Sequence, residues 1–184
     1  MCGIIGWKSN TQRVNENIIR KMADAIAHRG PDGEGFYYSN DGSLCLAHKR
    51  LAIIDPENGH QPMKSLDEEL VITFNGAIYN FLELRRELVS LGHPIKSYSD
   101  TEVLIYAYKQ WGEKCLDRLN GMFSFVIHDK RKKILFGARD RLGEKPFYYF
   151  YNKKEFIFAS EIKAILASGV VKASLNNESL HEYL

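Results

Sequence analysis

Residues 122–160 read MFSFVIHDKRKKILFGARDRLGEKPFYYFYNKKEFIFAS. Four apolar runs follow one another here, at 122–129, 133–140, 146–151 and 155–160. Each is dense in Phe, Tyr, Ile and Val, residues that suit a pleated, half-buried surface. The polar tips at KRKK and NKKE have the length and composition of hairpin connections. Four antiparallel strands in succession are therefore expected. The same reading extends backwards to CGIIGW (2–7), GFYYS (35–39) and LCLAHKRLAIID (44–55), and to ELVITFNGAIYN (69–80) as a strand, then Asn-Gly, then more chain.

Helical periodicity occurs elsewhere. Residues 14–30 carry Ile18, Met22 and Ile26 on one face and stop at Gly30, which predicts an amphipathic helix. Residues 80–92 place Leu84, Leu88 and Leu91 together, with Asn80 and Glu83 at capping-box spacing and Gly92 as the stop. A third helix is expected from SDTE (99–102) to Gly112, with Ser99 and Glu102 as a second capping box. SEIKAIL (160–166) reads as a short helix, and residues 174–184 as the opening of another. Helices and strands are segregated rather than alternating. That favours an α+β fold with antiparallel sheets over a parallel doubly wound one.

Composition narrows the function classes. The chain has 184 residues, 45% hydrophobic and 26% charged, with a net charge of +2. It is sized for one domain, or one domain plus a linker. So small a net charge implies neither nucleic acid nor a membrane surface as partner. No apolar run nears the roughly 20 residues of a membrane span, and no secretory leader is legible. Cys2, Cys45 and Cys115 are too few and scattered for a disulfide framework or zinc site, so a cytoplasmic setting is expected. The six histidines show no ligand spacing. The DGEG run fits neither a phosphate-binding loop nor a calcium loop. No metal and no cofactor are expected in this chain.

Four features carry chemistry. Cys2 follows Met1. If Met1 is removed, the thiol lies beside a free α-amine, which titrates near about 7.7–8.0 and can act as its base. The other reading is a small buried residue. Asn75-Gly76 follows an apolar strand, the usual mark of a tight hairpin turn. The chain then continues as loop and helix, so a second reading is an oxyanion hole built from the Asn75 amide and the Gly76 N–H. Asp100 sits in a first helical turn, where it complements the helix dipole; it is also a candidate anchor for a substrate ammonium. Arg50, in an otherwise apolar strand, either snorkels from an edge or holds a substrate carboxylate through a bidentate fork. Arg50 and Asp100 together would clamp the two ends of an amino acid.

These stretches, in order, strongly resemble the glutaminase domain of class II glutamine amidotransferases, the N-terminal-nucleophile type, and most of all its asparagine-synthetase branch. The runs are MCGIIG, HRGPDGEG, HKRLAIID, QPM, ITFNGAIYN, SDTEVLIYAY, LNGMFSFVIHD, RDRLGEKPFYY and FASEIKAIL, which together cover almost the whole chain. The resemblance implies a four-layer α/β/β/α sandwich of the Ntn-hydrolase type, with two antiparallel sheets inside. It implies that Cys2 attacks the side-chain amide of glutamine, with its own amine as base and then acid. Asn75 and Gly76 would stabilise the oxyanion, and hydrolysis would yield glutamate and ammonia. Arg50 would bind the substrate carboxylate, Leu51, Ala52, Ile53 and Ile54 would line the pocket, and Asp100 would bind the substrate ammonium. Arg29 would organise the site from behind. Ala77 stands where the family has a glutamate that helps hold the substrate amine.

The resemblance further implies a glutaminase domain over residues 1–170. Residues 171–184 would be a linker and helix start leading to a C-terminal synthetase domain beyond this sequence. That domain would use ATP and magnesium to make asparagine from aspartate. Glutamine, that synthetase domain, which this chain would supply with ammonia, and a second copy of the chain as homodimer partner are the expected partners. Two alternatives stay open: a glutaminase-like module whose turnover is weakened or lost through Ala77, and an amidotransferase with a non-aspartate acceptor.

Overall fold

The structure, a computed structural model, describes residues 1–52, 55 and 57–183. Its strands fall into two antiparallel sheets. The first runs in the order β2 (Gly33–Tyr38), β3 (Leu44–Arg50), β1 (Gly3–Ser9), β9 (Glu155–Ala159), β8 (Tyr148–Tyr151). The second runs β4 (Met63–Lys64), β5 (Leu70–Ile78), β6 (Gly121–Asp129), β7 (Ile134–Arg139). Helices α1 (Glu16–Asp24) and α4 (Ile162–Ala167) cover the first sheet, and α2 (Phe81–Ser90) and α3 (Asp100–Trp111) the second. α5 (Asn177–Tyr183) lies exposed near the end of the chain.

The layering follows from the period-2 alternation of side chains along each strand. Ile5 and Trp7 of β1 pack with Ile19 and Met22 of α1, while Ile4 turns the other way to meet Val71, Val126 and Phe158 between the sheets. On β5, Leu70, Ile72 and Phe74 face the helices, packing with Leu88, Val103 and Leu104. Three apolar clusters thus separate four layers, and the expected α+β sandwich is the fold. Buried polar contacts cross the gap between sheets. Thr73 Oγ1 donates to the Ala47 carbonyl oxygen at 3.2 Å. His48 Nε2 donates to that of Phe74 at 3.1 Å, and burial holds this imidazole neutral, its pKa pushed down to about 4.

Several local expectations change in the folded chain. The Asn75-Gly76 turn does not form: β5 runs straight through, with Asn75 opposite Ser124 and Gly76 opposite Phe123 on β6. Glycine is needed there for close approach, since a Cβ at Gly76 would lie 2.2 Å from the Met122 carbonyl oxygen. The first helix is shorter than 14–30. Asn15 Oδ1 caps it by accepting from the Asn17 amide at 2.9 Å, and a 3-10 turn, Ala27–Arg29, leads to Gly30. The Asn80–Glu83 capping box is absent because Asn80 faces the chain entering β6. Its Nδ2 donates to the Arg118 carbonyl at 2.9 Å and its Oδ1 accepts from the Asn120 amide at 3.0 Å. Leu84 and Leu88 are buried, but Leu91 is exposed at the end of α2. Ser99 caps α3, accepting from Thr101 N at 3.2 Å. Glu102, however, reaches back to the amides of Lys96 and Ser97 rather than to Ser99. Gly112 closes α3 with φ 60°.

Candidate active site

The ends of several elements converge at one edge of the sandwich. β1 begins at Gly3 opposite Lys49, so Cys2 emerges beside Arg50, where β3 stops. The C-terminal part of β5 brings Asn75, Gly76 and Ala77 to the same edge, and α3 begins there with Asp100. Cys2, Arg50, Leu51, Asn75, Gly76, Ala77 and Asp100 line one cavity of about 210 Å³. That lies below the roughly 300–1,000 Å³ of drug-sized ligand pockets, which suits a small molecule.

The half-buried Cys2 side chain is held by Leu51. The Leu51 amide donates to Sγ at 3.3 Å, and the thiol donates to the Leu51 carbonyl oxygen at 3.5 Å. Burial raises the thiol pKa above its ordinary value, against the lowering effects of the Leu51 contact and the nearby Arg50 guanidinium. A thiol so placed is mostly protonated at neutral pH and needs a base. Arg29 supports the same residue from behind. Its Nε donates to the Cys2 carbonyl at 2.9 Å, while its Nη1 contacts Glu161 Oε1 at 3.1 Å. Glu161 also takes His28 Nε2 at 2.9 Å.

Asn75 is 2% exposed, and its Nδ2 has no hydrogen-bond partner among the described residues. A buried amide donor of this kind is costly unless something accepts from it. Asn75 lines the same cavity as Cys2. Asp100, 4% exposed, accepts from the Ile78 amide at 3.1 Å. Burial dominates its titration and lifts its pKa to about 6. Arg50 is buried, and its Nη2 donates to the Asp55 carbonyl at 2.8 Å. The Asp55 carboxylate in turn accepts from the amides of Asn58 (3.1 Å) and Tyr98 (3.0 Å). A cation and an anion thus line the same cavity. The Ala52 amide is held by Asp32 Oδ2 at 2.9 Å. Ile53 and Ile54 lie outside the described residues.

Among the cavity residues not singled out from sequence are Gln61 and Lys145. Gln61 braces β5 and α3 together, accepting from the Phe74 amide at 2.6 Å and donating to Thr101 Oγ1 at 3.3 Å. Lys145 enters from the loop after β7. Both belong to quoted runs, QPM and RDRLGEKPFYY, but only their spatial position marks them.

A family model described as glutamine amidotransferase domain matches residues 1–184. Among curated proteins, asparagine synthetase (glutamine-hydrolyzing) 3 of Bacillus subtilis is 43% identical, over 99% of this chain and 30% of its own length. A putative asparagine synthetase (glutamine-hydrolyzing) of Methanocaldococcus jannaschii is 41% identical, over 100% of this chain and 39% of its own. The chain therefore spans about a third of the length of these relatives. Among solved structures, a glutamine phosphoribosylpyrophosphate amidotransferase from B. subtilis aligns with a TM-score of 0.78. It is 22% identical and covers 91% of this chain and 44% of that one, a likeness of fold alone. With the cysteine, the amide donor and the charged pair gathered in one cavity of this fold, the chain belongs to the glutamine amidotransferase domain family.

Proposed function

We propose that this chain hydrolyses glutamine to glutamate and ammonia. The carrying observation is that Cys2 Sγ and the unpartnered Asn75 amide share one small cavity with Arg50 and Asp100. In this reading Arg50 holds the substrate carboxylate and Asp100 the substrate ammonium. Removal of Met1 frees the Cys2 α-amine. Sγ attacks the glutamine side-chain carbonyl carbon while the thiol proton passes to that amine. Asn75 Nδ2 and the Gly76 N–H stabilise the developing oxyanion. The protonated amine then gives its proton to the departing ammonia, leaving a glutamyl thioester. Water, deprotonated by the same amine, cleaves the thioester to glutamate and restores the thiol. Leu51 keeps Sγ in line throughout.

We place the glutaminase unit at residues 1–170 and a linker at 171–184, followed by a synthetase domain that uses the ammonia, ATP and magnesium to make asparagine from aspartate. The length of the curated relatives supports that partner domain. Among the described residues no helix is long and apolar enough to cross a membrane; a cytoplasmic setting and a homodimer belong to the same proposal. Ala77 supports a second reading. It lines the cavity with a side chain that cannot bind an ammonium, so turnover would be weakened or lost. The test is glutamate release from glutamine by the full-length protein, with Met1 removal verified by intact mass. Release that disappears in Cys2→Ala is expected. No release from processed wild-type protein would overturn the first reading in favour of the second.

A further inference from the structure

Lys145 lies in the loop after β7, only 5% exposed, and lines the cavity that holds Cys2. Its backbone is firmly held. Asp140 Oδ2 accepts from the Lys145 amide at 3.0 Å and from the Phe123 amide of β6 at 3.2 Å. Asp140 Oδ1 accepts from Glu144 N at 2.8 Å, and Arg139 Nε donates to the Lys145 carbonyl at 2.5 Å. The loop is thereby pinned to the strand that pairs with Asn75 and Gly76. The Lys145 ammonium itself has a poor neighbour. Nζ donates to Met1 Sδ at 3.2 Å, a weak thioether acceptor. Among the described residues it makes no ion pair, and Asp140 is committed to backbone amides. Lysines are rarely this buried unless paired.

We propose that Lys145 is a positioning residue for the glutaminase reaction: once Met1 is gone, its ammonium stands near the Cys2 α-amine and keeps that amine unprotonated near neutral pH. This rests on the functional reading above. Met1 is the residue bonded to the Cys2 nitrogen, so Nζ lies within one methionine side chain of the future amine. A nearby like charge disfavours the protonated form, and a cavity shielded from water screens it less. The other charged groups around the amine do not cancel this. Arg50 on β3 adds positive charge. Arg29, from the 3-10 turn, is paired with Glu161. Asp100 on α3 opposes it but is itself poised for the substrate ammonium. A neutral amine at pH 7 is what a general base requires.

The experiment compares full-length, Met1-processed wild type, Lys145→Met and Lys145→Arg by kcat/KM for glutamine from pH 5 to 9. The acid limb of this profile reports the free enzyme's base. In Lys145→Met it should move up by about one pH unit, lowering kcat/KM at pH 6.5 by about tenfold and at pH 9 by less than about twofold. Lys145→Arg should keep the wild-type limb. A second readout needs no turnover: the pH dependence of N-terminal amine acylation, followed by mass spectrometry, should shift in the same direction. An unmoved limb and acylation curve in Lys145→Met would overturn the proposal, as would a pH-independent rise in KM, which would make Lys145 a glutamine-binding group. If wild type releases no glutamate, the functional reading fails instead, and the acylation curves alone still decide whether Lys145 acts on the amine.

Discussion

Leu51 holds Cys2 with both of its backbone polar atoms, its amide 3.3 Å and its carbonyl oxygen 3.5 Å from Sγ. The residue that follows the last position of β3 therefore fixes the thiol that precedes the first position of β1. Two neighbouring antiparallel strands supply thiol and holder because their register places Gly3 opposite Lys49.

This placement separates Cys2 from the other thiols. Cys45 and Cys115 are fully buried, and burial pushes each up to about 12. A glutamine-mimicking electrophile should label Cys2 alone, and excess glutamine should protect it. Peptide mapping by mass spectrometry decides; label on Cys45 or Cys115 contradicts the assignment.

Asn75→Ala should lower kcat by about 10²–10³, the usual loss of one oxyanion donor, with a smaller change in KM. Circular dichroism should stay native. Gly76→Ala should act differently, because its Cβ would strike the Met122 carbonyl 2.2 Å away. β5 and β6 would have to part, so a loss of about 1–3 kcal/mol in unfolding free energy is expected as well.

Asp100 should make stability fall as pH rises. Its folded pKa of about 6 exceeds the ordinary value of 3.8, so the native state holds its proton longer than the unfolded chain. The penalty grows from about pH 4 to about pH 6 and is complete above that window, on the order of 3 kcal/mol. Asp100→Asn should melt higher than wild type at pH 7.5 and equal it near pH 4, while its KM for glutamine rises. Melting curves that differ equally at both pH values would refute the titration argument.

Ala77→Glu should lower KM for glutamine. A charge-assisted hydrogen bond to the substrate ammonium contributes about 1.5–3 kcal/mol, or roughly tenfold or more in affinity. Steady-state kinetics checks this, and an unchanged KM would show that the carboxylate is not what position 77 lacks.

Much of the strand and helix inventory was legible because it rests on local physics. The apolar runs CGIIGW and MFSFVIHD, the Ser99 cap and Gly112 report on neighbours a few residues away. Cys2, Arg50, Asn75 and Asp100 were legible as candidates through motif order. The misread features depend on distant chain. Asn80 looked like a cap until Arg118 and Asn120 came within reach. Of the two readings open for Asn75-Gly76, the turn is excluded because β6 pairs alongside it. Leu91 had the right helical phase but lay at a helix end that no layer covers.

The sequence by itself determined the fold class, the family resemblance and the candidate thiol, because periodicity, turn chemistry and motif order are written along the chain. Only the tertiary structure decided that Gly76 is a glycine of close approach, that Leu51 positions Sγ, and that Lys145 and Gln61 reach the cavity. The physical reason is that side-chain meetings are set by strand register and by the packing of four layers, which join residues far apart in sequence.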